Sequence, residues 1–282
     1  MRNNALAALC MPLFAALAGC GTSVPSIEEP WEGTETYSRF SAGGLLEYRV
    51  KRKVYCGIVD AVLAGRASGL LPHGWAAQVS LSLQADEASA VSPGASFINP
   101  INPLRTSQSF TFGLGGSLSS QGTRESKFGS YWELDRLQSK SENPCGSEER
   151  QEQGSSLLLV NELGITEWFV DSLRSRNFLP SSEGTKGDPF YKQDFLSYRV
   201  KFVVISSGSA TPTWKMVHLT SGNGGLPLVT ANRTRTHELL LTFGPTFKAG
   251  SLNLAVNSHA AQELGIAVSN GARSLDRAFI IP

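Results

Sequence analysis

Apolar and polar residues alternate along several stretches of this chain with the period of two that marks a half-buried strand. Val79, Leu81, Leu83 and Ala85 fall on one face and Gln78, Ser80, Ser82 and Gln84 on the other, behind a turn signal at Pro72-His73-Gly74. Phe110, Phe112, Leu114 and Leu118 share a face opposite Thr111, Gly113, Gly115 and Ser117. Beyond Gln121-Gly122-Thr123, Phe128, Trp132 and Leu134 oppose Lys127, Gly129, Tyr131 and Glu133, so residues 107–137 read as one long hairpin. A second hairpin is predicted from Leu196 to Leu219. Leu196, Tyr198, Val200, Phe202 and Val204 alternate, Ser206 to Thr211 turns, and Trp214, Met216 and His218 return. The run His237 to Phe243, apolar without interruption in its middle, reads as a central strand covered on both faces.

Helical signals are fewer. Thr166 is placed to cap a helix from Glu167 to Arg176, with Ile165, Trp168, Phe169 and Leu173 on one face and an acid in the first turn. Ser258 is placed to cap a short helix ended by Gly265. Leu45 to Ala64 carries two signals: Leu46, Tyr48 and Val50 alternate, while Val54, Ile58 and Val62 recur every four residues, which predicts a strand followed by a helix. Long irregular connections are expected near residues 86–106, 138–156, 179–193 and 220–235, and connections of that length are where a partner is sought. The expectation is an α+β fold of mainly antiparallel sheet in long hairpins, with two or three short helices, forming a single domain over residues 43–282.

Composition removes several alternatives. The 282 residues include 28 Gly and 14 Pro, and only 17% are charged, which argues against a coiled coil or a charged helical bundle. Ordinary apolar content with 25 Lys+Arg against 24 Asp+Glu argues against a disordered chain, and gives no basic face for nucleic acid.

The first twenty residues carry the most specific signal. Arg2 precedes an apolar stretch from Ala5 to Ala18 that is too short to span a bilayer and has the layout of a secretory signal, residues 1–19. It ends in Leu17-Ala18-Gly19-Cys20, which resembles the lipobox of bacterial lipoproteins. The resemblance implies cleavage before Cys20, a diacylglycerol thioether on its sulfur and a further acyl chain on the new amino terminus. Two or three such chains hold where a single one lets go. Gly21 rather than Asp after the cysteine implies the outer membrane, with the domain expected on the periplasmic side. Residues 20–42 are polar, contain Pro25 and Pro30, and read as the lipidated terminus and a flexible tether. Without Arg2 the charges balance, so the lipid and not surface charge is expected to hold the membrane. Met216 is the one methionine left, which excludes a Met-rich copper-handling surface.

Export changes the reading of the cysteines. Cys10 leaves with the signal and Cys20 takes the lipid, leaving Cys56 and Cys145, which are expected to pair in an oxidising compartment. Two free thiols and an intermolecular bond are the alternatives. No CxxC supports a redox site or a zinc knuckle.

Catalytic chemistry is sparse. There is no HExxH, GxSxG, P-loop, dinucleotide fingerprint or EF-hand loop. Gly113-Leu114-Gly115-Gly116-Ser117 lacks phosphate-loop spacing and sits inside a strand pattern, where glycine permits close packing or a bend. His73, His218, His237 and His259 are far apart in sequence, and Glu148, Glu149 and Glu152 read as a solvated surface. No catalytic residue, metal ligand or cofactor is assigned. The expected role is a binding, scaffolding or assembly-helper module at the envelope, with another envelope protein or a glycan as partner. Two alternatives remain. The 107–137 hairpin, with aromatics on one face and Gly, Ser and Thr on the other, is also what a subunit contributes to an oligomeric outer-membrane pore. The third reading is a hydrolase centred on His237, which needs a nucleophile and an orienting acid within hydrogen-bond reach.

Overall fold

The computed structural model describes residues 23–27, 41–100, 109–137, 145, 156–179, 194–212, 219–221, 226–246 and 254–279. The element order is α1 (Ala42–Ala67), β1 (Trp75–Val91), β2 (Gly94–Pro100), β3 (Ser109–Gly115), β4 (Leu118–Glu133), α2 (Leu157–Val160), α3 (Ile165–Phe178), β5 (Leu196–Ala210), β6 (Leu219–Ser221), β7 (Val229–Pro245) and α4 (Leu254–Phe279). The fold is α+β with antiparallel sheet predominating: four long strands in the order β4-β1-β7-β5, and three shorter ones in the order β3-β2-β6. The chain divides into two compact units, and the division cuts across the four long strands.

The second unit comprises the described residues of Glu28–Ser82, Lys127–Phe202 and His237–Pro282. Its β1 residues Val79 and Leu81 and its β7 residues Leu239, Leu241 and Phe243 are buried. Helix α3 covers this face, with Phe169 against Phe243 at 4.5 Å between ring centroids and Trp168 stacked on Tyr198 at 4.7 Å. Helix α1 packs on α3, and a Cβ at Gly65 would stand 3.2 Å from side-chain atoms of both Leu173 and Phe169, so glycine lets the two helices approach. Helix α4 covers the opposite face. His259 hydrogen-bonds Thr242 Oγ1 at 2.9 Å and Ser80 Oγ at 2.7 Å, both one residue out of phase with the buried apolar set. The expectation that His237–Phe243 is covered on both faces is met: Leu239 to Phe243 are all buried.

The first unit comprises residues 23–27, Leu83–Ser126 and Val203–Thr236. It contains the three-stranded sheet and the ends of the long strands leading to it. Residues 23–27 lie within the stretch read as a tether, and they are docked: Ile27 is fully buried, and Arg233 Nη2 donates to the Ser26 carbonyl at 2.7 Å. Arg233 also pairs with Glu87, so β1, β7 and the N-terminal segment meet at one guanidinium. A planar fork with five donors suits that three-way junction.

Several expected boundaries move. Gln121-Gly122-Thr123 lies inside β4, and Gly122 lacks the left-handed backbone a tight turn there would use. The strand pattern from Ser109 pairs instead with β2, so the hairpin closes between Pro100 and Ser109 and the connection expected at 86–106 is largely strand. Ser206 to Ala210 extends β5, whose neighbour is β7, and β7 begins at Val229 within the expected 220–235 connection. Serine and glycine fit turn and strand alike, and pairing with a neighbouring strand decides between them. Leu45 to Ala64 is helix throughout α1, because Leu46, Val50, Val54, Ile58 and Val62 make one buried stripe and Ser41 Oγ caps it by accepting from Gly44 N at 3.2 Å. The cap of α3 is Gly164, at φ 61°, with Thr166 inside the first turn. Ser258 and Gly265 both lie inside α4, so α1 and α4, at 26 residues each, are longer than the short helices expected. The returning strand at Trp214 to His218 and the connections 138–144, 146–155 and 180–193 lie outside the described residues.

Cys56 on α1 is disulfide-bonded to Cys145, with the Cα atoms 5.6 Å apart and a separation of 89 positions in sequence. Closing so long a loop in the unfolded chain is worth about 4 to 5 kcal/mol in the chain-entropy account, and removal of a native bridge costs about 2 to 5 kcal/mol. Replacing both cysteines (Cys56→Ser with Cys145→Ser) is therefore expected to lower the unfolding free energy by a similar amount in urea denaturation followed by circular dichroism. An unchanged midpoint would mean that the bridge contributes nothing to stability.

Candidate functional site

The candidate site is an interaction surface on the first unit, and it follows from strand alternation. β2 and β3 pair antiparallel, with Ala95 opposite Leu114, Phe97 opposite Phe112 and Asn99 opposite Phe110. Directly paired residues project from the same face, so Phe97, Phe110, Phe112 and Leu114 stand together. Their exposures are 47, 56, 51 and 64%. The intervening pairs, Gly94 with Gly115, Ser96 with Gly113 and Ile98 with Thr111, put small or polar groups on the reverse, with Ile98 the exception. β6 pairs with the other edge of β2, Ala95 opposite Ser221.

The same register continues below this sheet. Gly116 N donates to the Pro93 carbonyl at 3.0 Å, Ser92 Oγ to Ser117 Oγ at 3.2 Å, and the Ser89 and Ser120 hydroxyls lie 3.1 Å apart. Val91 and Leu118 therefore extend the apolar face, and Leu118 is exposed. No Asp, Glu, Lys or Arg occurs from Ala88 to Pro100 or from Ser109 to Thr123. Charge resumes at the base of the ribbon, where Glu87 pairs with Arg233 and Asp86 accepts from Thr123 Oγ1 at 2.7 Å. Glycines 113, 115 and 116 thus belong to an amphipathic ribbon, consistent with the strand reading of that motif. The sequence showed half of the face, on β3. The β2 half was hidden because Ser92-Pro93-Gly94 and Pro100 bracket Phe97 with turn-like residues.

The second unit holds the residues with reactive side chains. Ser156 Oγ and His237 Nδ1 share a hydrogen bond of 2.7 Å, which places a hydroxyl beside the histidine, as the hydrolase reading requires. Both residues are buried, and Ser156 Oγ also accepts from Leu158 N, capping α2. A substrate cannot reach that hydroxyl without opening the core. Glu238, next in sequence, projects to the other face of β7 and pairs with Arg199 at 2.8 Å. A cavity of about 490 Å³ lies beside the Cys56–Cys145 bridge, lined among others by Arg52, Lys53, Asp60, Glu162 and Thr166. Its Lys53 ammonium donates to the carbonyls of Leu159 and Asn161, tying the end of α2 to α1.

Among the described residues no group of three or more His, Cys, Asp or Glu side chains is placed to hold a metal ion, and no helix is long and apolar enough to cross a membrane. Of the residues assigned from sequence, Cys56 and Cys145 are brought together, while Cys20, His218 and Glu148, Glu149 and Glu152 lie outside the described residues. His73 is exposed, 3.4 Å from Asp135. Comparison of the sequence with protein-family models gives no match, and no curated protein is significantly similar to it.

Burial lowers the pKa of His259 below 6.5, and Glu263 opposes the shift. The unfolded chain then takes up the proton first. The histidine's contribution to stability is complete above about pH 6.5 and is lost as pH falls from there toward the depressed folded-state value. Wild-type protein is expected to lose stability relative to His259→Asn as pH is lowered through that window, measured by thermal unfolding. Parallel curves for the two proteins would contradict this assignment.

Proposed function

We propose that this chain is a lipid-anchored protein of the bacterial envelope, held through acyl chains on Cys20 at the periplasmic side of the outer membrane, and that it works as a binding or assembly module. The observation that carries the interaction role is the exposed face of Phe97, Phe110, Phe112 and Leu114 on a charge-free ribbon. A contiguous exposed apolar patch of this kind marks a place where a protein meets something else. The sealed setting of Ser156 and His237 favours this role over hydrolysis. Anchoring is tested by intact-mass analysis of the native product with membrane fractionation. The expected mass begins at Cys20 and includes the diacylglyceryl and acyl additions, and Cys20→Ala releases the protein from the membrane fraction. A retained leader or an unacylated Cys20 would overturn the anchoring.

A second reading is favoured by the reverse face of the ribbon, where Gly94, Ser96, Thr111, Gly113 and Gly115 would suit the lumen of an oligomeric pore. Detergent-extracted protein would then migrate as a large ring and conduct ions in planar bilayers. A monomer in mild detergent disposes of that reading.

A further inference from the structure

Three features outside the disulfide and the core could take a partner: the cavity beside Cys56, the exposed Leu264 and Val268 on α4, and the aromatic ribbon. The cavity shares Lys53 with the α2 closure, and nothing adjoining Leu264 and Val268 says what would cover them. For the ribbon, chain geometry does say.

The geometry points to the acyl layer of the anchoring membrane as the occupant of the Phe97, Phe110, Phe112 and Leu114 face, an inference that rests on the lipoprotein reading of Cys20. Arg233 holds both the Ser26 carbonyl and Glu87. Cys20 precedes Ser26 by six residues, so the acylated sulfur stays within about 20 to 25 Å of the ribbon's base whatever path the segment takes. From Glu87 to Phe97 is ten residues of extended chain, or about 33 Å. The leash is therefore shorter than the ribbon, and a bilayer gripping the Cys20 lipid lies within reach of the aromatic face.

The face matches that bilayer in chemistry. Val91 to Asn99 and Phe110 to Leu118 are nine residues each, about 30 Å of strand along which the apolar face can meet the acyl layer. The rim of a protein–protein interface is polar and solvent-accessible, whereas both arms are free of charge over this span and offer only Ser, Thr and Asn beside the apolar face. Acyl chains require no rim. The reverse face, being small and polar, is suited to water or headgroups.

The test uses the full acylated chain in vesicles of phosphatidylethanolamine and phosphatidylglycerol whose acyl chains carry bromine, with unbrominated vesicles as reference. Phe112→Trp and Thr111→Trp place a reporter on the apolar and polar faces, and wild-type emission is subtracted. The expected result is strong bromine quenching of the reporter at 112 and little at 111. Equal quenching at both positions, or none at 112 while the protein stays vesicle-bound, overturns the proposal, the latter leaving the face to a second copy or a protein. The anchor is read separately. If the intact mass of the native product shows Cys20 unacylated and the 112 reporter is still quenched, the lipoprotein reading fails while the membrane face stands.

Discussion

One unbroken register governs the ribbon, and its two faces depend on it. Ser89 meets Ser120, Ser92 meets Ser117, Pro93 accepts from Gly116, and Gly94 to Pro100 run opposite Gly115 to Ser109 with no residue inserted on either arm. Side chains alternate with a period of two, so a slip of one residue would turn Phe112 away from Phe97 and toward the serines and glycines. The paired serine hydroxyls beside Pro93 and Gly116 bridge the two arms where strand structure lapses. Proline there removes an N–H from the ladder but leaves its carbonyl, and that carbonyl is used. At the base, Arg233 with Glu87 and the Ser26 carbonyl ties the ribbon to the N-terminal segment at residues 23–27, so the register also sets how far the aromatic face stands from that segment.

In the second unit the polar side chains serve architecture. Lys53 closes α2 onto α1, Ser156 both caps α2 and meets His237, His259 joins α4 to two strands, and Arg176 lies over Trp75 at 5.0 Å while pairing with Asp194. A polar group buried without a partner costs about 1 to 3 kcal/mol, so satisfying these groups removes a large penalty. It also leaves them poorly available for chemistry. In the first unit, by contrast, the exposed Phe97, Phe110, Phe112 and Leu114 share one face of a paired ribbon.

What was legible in the sequence follows from whether a pattern had one physical reading. Val79 to Ala85 and Leu239 to Phe243 were recognisable because alternation over buried positions, and unbroken apolarity in a central strand, leave little ambiguity. Cys56 and Cys145 could be paired because the reading of the first twenty residues as a lipoprotein signal leaves no other cysteine for either, and the structure joins them. The α+β class with long antiparallel strands was legible for the same reason. Leu46, Tyr48 and Val50 misled because positions two apart satisfy a strand, while Leu46 and Val50 alone satisfy a helix; only the burial of every fourth residue from Leu46 to Val62 separates the two. Gly122, Ser206 and Gly208 misled because small residues permit turns without requiring them. The partnership of Phe97 with Phe112, and of Ser26 with Arg233 across 207 residues, depends on pairing that local pattern does not encode.

The edges of the ribbon's sheet limit what its apolar face can do alone. β3 and β6 are the outer strands of the order β3-β2-β6, and an outer strand presents backbone N–H and carbonyl groups in need of partners. In water or among headgroups those groups are satisfied at little cost. Within hydrocarbon each unpaired group costs several kcal/mol, and the seven residues of β3 carry several of them along one side. If the acyl layer is the occupant, as proposed, a single copy would lie with its aromatic face against it and its edges in the interfacial zone. Passage through the layer requires the edges of neighbouring copies to pair and close a barrel. On that proposal the aromatic face would supply the affinity for lipid, and the state of the edges would separate an anchored binding module from a pore.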